Sequence, residues 1–272
     1  GYLYIETKEL KKAIEIFKIY LAGGDAEHIA EIQIRVGYLY IETKQQKKAI
    51  ESFKKYLASG DTEHVAEIQI RLGYLYLESK QQKKAIKIFE QYLASGAAEH
   101  SVAIQLRLAY LYVETKQNFL AISLMEQVRL HPDYRQNSEL LQTLMVLYRD
   151  TVSKEKFVQF LLSVRSDAKL AEKVRHGFQT QLILTYYEQN KCEKVLAELK
   201  DKPGYLQNSK KTNPEVWQHL LFLKGSCLIE TQKWEESRTV FRQIRETDKY
   251  REQAIQMLLE AHKQLEDWKS IT

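Results

Sequence analysis

Across residues 32–57, apolar side chains recur at helical spacing in two blocks separated by a short polar break. Ile32, Val36, Leu39 and Tyr40 form one stripe, and Ala49, Ile50, Phe53, Tyr56 and Leu57 form another. Between them Glu42-Thr43-Lys44-Gln45 supplies a turn, with Thr43 expected to cap the second helix. The pattern predicts a helical hairpin. Beyond it, Ser59-Gly60-Asp61-Thr62-Glu63 puts Gly60 at a helix C′ position and Asp61 at the N-cap of the next helix, with Glu63 near that helix's positive pole.

The hairpin is copied at an interval of 36 residues. Gly1, Gly37, Gly73 and Ala109 share one column; Tyr4, Tyr40, Tyr76 and Tyr112 a second; Ala13, Ala49, Ala85 and Ala121 a third; Phe17, Phe53, Phe89 and Met125 a fourth. A period of this size marks a repeat array, in which a unit cannot bury its own apolar face and stacks on its neighbours. Gly37 and Gly73 lie inside helical pattern, where glycine costs about 1 kcal/mol against alanine. A close approach of two helices there would offset that cost.

Units 1–116 are near-identical, and those over 117–272 diverge. Leu147-Tyr148, Asp150-Thr151 and Phe157 belong to a fifth unit, and Ile183, Tyr186, Glu188, Val195 and Leu199 to a sixth. Gly225, Leu228, Glu230-Thr231, Trp234, Ser237 and Phe241 make a seventh; Leu259, His262 and Trp268 begin an eighth. The interval stretches to 42 residues between Ile183 and Gly225, and the excess, KDKPGYLQNSKKTNP over 200–214, is rich in turn formers and reads as a loop. His131-Pro132-Asp133 closes the fourth unit in the same way. One elongated array over 1–272 is expected, in preference to two globular domains.

Gly37, Tyr40, Ala49 and Phe53 set a small residue, an aromatic, a small residue and an aromatic at offsets that resemble the tetratricopeptide repeat. The resemblance covers essentially the whole chain. It implies an all-α, right-handed superhelical solenoid of helical hairpins that works as a protein-binding scaffold or adaptor and is not itself an enzyme. The departures are a 36-residue unit in place of the usual 34, Gln33 where the family often has Trp, Asp61 near the family's Pro, and Tyr56 in place of Ala.

In such an array the first helices line a concave wall. Carrying the family's groove positions onto this chain selects Glu31, Ile34, Arg35, Tyr38, Ile41 and Glu42, then Glu67, Ile70, Arg71, Tyr74, Leu77 and Glu78, then Ala103, Leu106, Arg107, Tyr110, Val113 and Glu114. Arg35, Tyr38 and Glu42 also fall on one helix face by spacing alone. Arg and Tyr are enriched at binding hot spots. Two readings stand: a partner-binding groove for an extended peptide or a partner helix, or residues that only pair within their own helices. The chaperone-tail binders of the family hold a C-terminal carboxylate with Lys and Asn, but Tyr38, Tyr74 and Tyr110 stand at the matching Asn positions, so that ligand is not expected.

Composition narrows the remaining classes. Across 272 residues the net charge of +5 is mild. The Lys-Lys pairs at Lys11, Lys47 and Lys83 read as solvated surface, and Glu42, Glu78 and Glu114 interrupt any basic wall, which argues against nucleic acid. The sequence holds no run of 18 apolar residues to insert in a membrane. It shows no cofactor motif and no nucleophile elbow. His28, His64 and His100 form a column but cannot share a metal, since packed helices lie about 8–10 Å apart and zinc ligands about 2 Å from one point. Cys192 and Cys227 read as two unlinked small apolar residues, with a disulfide or metal role as the alternative. Gly1 falls inside a repeat, from which the chain is read as an excerpt lacking its true N-terminus. Three further matters stay open at this stage: self-association through uncovered end hairpins, a role as the regulatory or substrate-recruiting arm of a larger enzyme, and the compartment.

Overall fold

The structure is a computed structural model that describes residues 1–23, 28–200, 203–245 and 249–264; among these there are helices and no strands. Packing divides the chain into two compact units, Gly1–Leu147 and Tyr148–Thr272.

The first unit holds four consecutive hairpins: α1 (Tyr2–Glu6) with α2 (Leu10–Ala22), α3 (Ile29–Glu42) with α4 (Gln46–Ala58), α5 (Val65–Glu78) with α6 (Gln82–Ala94), and α7 (Ser101–Glu114) with α8 (Asn118–Leu130). α9 (Ser138–Thr151) follows. The two helices of each hairpin pack on each other, and each second helix packs on the next first helix where α2 meets α3, α4 meets α5 and α6 meets α7. Phe53, Phe89 and Met125 are wholly buried between the paired helices, together with Ala49, Ala85 and Ala121.

The close approach expected at the helical glycines is present. A methyl group added to Gly37 would fall inside the ring of Phe53; Gly73 and Phe89, Gly1 and Phe17, and Gly225 and Phe241 repeat the relation. Sixteen residues separate each pair. Where alanine takes the small position, at Ala109, the partner is the narrower and more pliable Met125, and both are 0% exposed.

Each hairpin turn is the same helix stop. Lys44 takes a left-handed conformation (φ 59°), and so do Lys8, Lys80 and Lys116. Gln45 N–H donates to Tyr40 C=O at 2.7 Å and Lys44 N–H to Ile41 C=O at 2.9 Å, the two bonds of a Schellman motif. Thr43 does not cap the following helix as expected; its hydroxyl donates back to Leu39 C=O at 2.8 Å, satisfying a carbonyl of its own helix end.

The linker between hairpins corrects a second expectation. Gly60 is at C′ with φ 85°, as read from the sequence. Asp61, however, is not the N-cap of α5, which begins after His64. Its carboxylate accepts from Glu63 N–H at 2.9 Å and from the Tyr56 hydroxyl at 3.0 Å, and that hydroxyl in turn accepts from His64 N–H at 2.9 Å. Tyr56 and the two extra residues of the repeat thus belong together: the buried phenol supplies the polar partners that the longer linker needs. One unit later the Tyr92 hydroxyl donates to Glu99 C=O.

The second unit contains α10 (Lys154–Ser166), α11 (Glu172–Glu188), α12 (Cys192–Lys200), α13 (Pro203–Thr212), α14 (Pro214–Glu230), α15 (Trp234–Phe241) and α16 (Arg251–Gln264). Trp217, Leu221, Leu228, Val240, Phe241, Ile244 and Ala254 form one core cluster within it. In the same unit Arg165 pairs with Glu198 in a largely buried ion pair joining α10 to α12.

The stretch over 200–214, read as a loop, contains a helix. Pro203 opens α13, where a missing N–H is harmless and a fixed φ is favourable, and Tyr205 buries its ring. Asn213 then caps α14, its side chain accepting from Val216 N–H at 3.2 Å, and Pro214 is the first residue of that helix. The turn formers are therefore helix starters. Of the eighth unit, Leu259 and His262 belong to α16, while Trp268 lies outside the described residues.

Cys192 and Cys227 are not unlinked. They form a disulfide between α12 and α14, with Cα atoms 4.9 Å apart. Their separation of 35 residues is about one repeat, so the start of one second helix meets the flank of the next first helix. Gln46 and Gln82 occupy the corresponding place in earlier units and reach the next first helix by hydrogen bonds instead.

Candidate functional site

The exposed faces of α1, α3 and α5 carry a repeated set of contacts that bridge neighbouring hairpins. Tyr2 donates its hydroxyl to Glu31 at 2.9 Å, and the guanidinium of Arg35 lies 5.3 Å from the Tyr2 ring centroid. One unit on, Tyr38 donates to Glu67 and Arg71 lies 5.7 Å from the Tyr38 ring. Each rung combines a tyrosine of one hairpin with a carboxylate and an arginine from the next, through hydrogen bonding and cation–π attraction. Arg35 also stands 3.8 Å from Glu31 on its own helix, so intrahelical pairing and the inter-repeat bridge coexist.

The rings are aimed from beneath. Tyr2, Tyr38 and Tyr74 pack edge-to-face on Phe17, Phe53 and Phe89, with centroids 5.4, 5.4 and 5.6 Å apart. The phenylalanines that fill the space over the helical glycines therefore also set the direction of the wall tyrosines. Burial pushes the Tyr38 phenol up to about 12, reinforced by its bond to Glu67 and opposed by Arg71, so it acts as a donor throughout the neutral range. Tyr2 is raised for the same reasons.

Not all of the selected residues meet. Glu78 and Glu114 accept from the side-chain amides of Gln46 and Gln82, at 2.8 and 2.7 Å, on the preceding second helices. They link hairpins at another place, and Glu42 is exposed at the matching position of α3. Arg107 is exposed on α7, while the Tyr110 hydroxyl is buried toward Glu139 and Thr143 of α9.

Glu31, Ile34, Arg35, Tyr38 and Glu67 line a surface pocket of about 370 Å³ together with Tyr56 of α4 and with Asp61, Glu63 and His64 of the linker. Those last four residues were not selected from the sequence; their signal was the extra length of the repeat. Four carboxylates face one guanidinium there, and the His64 imidazole stands 3.9 Å from Glu67. Asp61 is held below the usual carboxylate range by the Glu63 N–H and then by the Tyr56 hydroxyl, so its charge persists into mild acid. His28, His64 and His100 each immediately precede a first helix, the surface position expected of them. Among the described residues no helix is long and apolar enough to cross a membrane.

Comparison with known proteins agrees with this architecture. A family model described as tetratricopeptide repeat matches residues 30–59 and 66–95. No curated protein sequence matches the chain. Among solved structures, a chain from the complex of Naa15/Naa10 bound to HypK-THB aligns with a TM-score of 0.63 at 15% identity over 96% of this chain. This chain spans only 38% of that one, and at such identity the likeness concerns the fold. A tetratricopeptide repeat protein from Parabacteroides merdae aligns over 96% of this chain and 95% of its own, at 13% identity and a TM-score of 0.44. The complex of the TPR2AB domain of yeast Sti1 with pHSP90 gives 14% identity, the same two coverages and a TM-score of 0.44. Residues 30–59 and 66–95 are matched as tetratricopeptide repeats, and the paired helices on either side of them follow the same hairpin pattern.

Proposed function

We propose that this chain is a protein-interaction scaffold and that the wall formed by its first helices receives an extended peptide or a helix of a partner. The observation that carries the reading is the ladder of Arg, Tyr and Glu on successive first helices, opening into the pocket between α3 and α5. Tyrosine offers a large contact area at small entropic cost, and arginine offers a planar fork of donors; repeated along an array they give many modest contacts. Arrays that use their walls in this way have no need of catalytic groups.

The test compares the intact chain with the Arg71→Ala/Tyr74→Ala double variant. Partners are recovered from the native source on the intact chain, purified, and titrated against both proteins by calorimetry, with far-UV circular dichroism as the folding control. A loss of affinity of tenfold or more with unchanged helicity is expected. Equal affinity would remove the wall as the binding surface.

A further inference from the structure

The ladder has one rung from which the protein's own carboxylate is missing. Glu31 and Glu67 occupy its carboxylate column in the first two rungs, and Glu139 occupies it opposite Tyr110. In the third rung the column holds Ala103, exposed on α7. The other two members are retained: Tyr74 stands where Tyr2 and Tyr38 stand, and Arg107 where Arg35 and Arg71 stand.

Tyr74 is held in the same pose as its counterparts. Its ring meets Phe89 edge-on at 71° and 5.6 Å, against 72° and 5.4 Å for Tyr38 on Phe53. Tyr74 is 41% exposed, and among the described residues its hydroxyl has no hydrogen-bond partner and Arg107 no ion-pair partner. Local charge changes in the matching sense. Ala97 replaces Asp61 in the linker column as Ala103 replaces Glu67 in the wall, so two carboxylates disappear beside a retained guanidinium.

We infer that Tyr74 and Arg107 form a binding subsite for the carboxylate of an Asp or Glu side chain in a bound protein segment. The ligand completes the rung as Glu31 and Glu67 complete theirs: its oxygen accepts from the Tyr74 hydroxyl, and its charge faces the Arg107 guanidinium. A side chain is specified because a glutamate side chain fills this place in the other rungs. The inference rests on the groove reading above and places an acidic residue of the partner on it.

The full chain is labelled with ¹⁵N and titrated with acetyl-glutamate N-methylamide, with acetyl-glutamine N-methylamide as the neutral isostere and acetyl-alanine as a carrier of a terminal carboxylate. The Arg107 Nε–H resonance is followed, with Arg35 and Arg71 as internal references whose rungs already hold a carboxylate. A saturable shift confined to Arg107 is expected with the glutamate probe and absent with glutamine. Ala103→Glu, at an exposed helical position, restores the internal carboxylate; it should weaken probe binding at least about tenfold while the unfolding midpoint is not lowered. Arg107→Ala should abolish the shift of the Tyr74 ring protons. The inference is overturned if Arg107 does not saturate, if Arg35 and Arg71 shift equally, if Ala103→Glu binds as the parent does, or if only acetyl-alanine binds. Any of these leaves the groove reading to its own test, since that depends on Arg71 and Tyr74 and on the purified partner.

Discussion

Exchanging Gly73 for alanine should destabilise this protein even though alanine is the better helix former. In open helix the change is worth about 1 kcal/mol in favour of the variant. Here the new methyl would overlap the ring of Phe89, which is 0% exposed and closed in by its own hairpin. Overfilling a packed core costs about 1–3 kcal/mol. The net loss is then about 1 kcal/mol. With Phe89 exchanged for methionine the obstacle is gone, and the site reproduces the Ala109–Met125 pair of the next hairpin. In that background Gly73→Ala should stabilise by about 1 kcal/mol, so that the two changes couple by about 2 kcal/mol. The assay is urea unfolding followed by far-UV circular dichroism on the parent, both single variants and the double. Gly177→Ala is the control, because a methyl added there meets nothing within 4 Å; it should stabilise by about 1 kcal/mol. If Gly73→Ala has the same sign in both backgrounds, the ring is not what reserves this column for glycine.

Tyr56→Phe removes the hydroxyl that joins Asp61 to His64 N–H, and should cost about 1–2 kcal/mol in the same unfolding assay. It should also raise the Asp61 carboxyl, followed by NMR titration, only part of the way to the ordinary value, since the Glu63 N–H remains the leading cause of its depression. For Asp61 the sign is that of a depressed carboxylate: its contribution is present above the ordinary carboxylate range and lost as pH falls through the folded value. His219 is lowered by burial and then by Lys249, and stacks 5.0 Å from Tyr250. Its contribution is full above the ordinary imidazole value and lost as pH falls through that value and below, so His219→Gln should flatten the acid limb of stability measured from pH 8 to 5. Reducing Cys192–Cys227 opens a loop of 35 residues and should lower stability by about 3–4 kcal/mol; a Cys227→Ser variant should then unfold identically with and without reductant.

Much of this fold was legible in the sequence because a 36-residue period exposes which columns carry the packing. Gly37 and Phe53 could be read as a close approach since the same pair returns at Gly73 and Phe89, and Ala109 with Met125 shows how the pair changes together. The ladder residues were legible as a face, but not as bridges between hairpins, because helical spacing within α3 says nothing about which residue of α5 comes opposite Tyr38. The reading failed where one residue type serves two purposes. Pro203, Asn213 and Pro214 begin helices as readily as they make turns, and the signal that decides is Tyr205, an aromatic available for burial. Asp61 carries the signature of an N-cap, but the buried Tyr56 hydroxyl draws it into the linker. The disulfide was hidden because the two cysteines lie in different repeats. Aligning Cys192 with Gln46 and Gln82, which reach into the next hairpin, would have brought it beside Cys227.

The bridging character of the ladder decides which substitutions can report on binding. Arg35 and Arg71 each lie on a tyrosine of the preceding hairpin, and Glu31 and Glu67 each hold that tyrosine's hydroxyl. Removing any of them loosens the coupling between neighbours as well as altering the wall, and in a repeat array nearest-neighbour coupling is a main source of stability. A loss of partner affinity after Glu67→Ala or Arg71→Ala therefore speaks for the wall only where the helical signal is retained beside it. The third rung is different: Tyr74 and Arg107 keep the side chains of the wall without the internal carboxylate that ties the other rungs together. Substitutions there change the surface offered to a partner at little cost to the stacking of α5 and α7, and the sign of Ala103→Glu separates the causes. If rung formation mattered only for stability, that variant would be more stable and bind as before; if the empty position is the partner's, added stability and lost affinity arrive together.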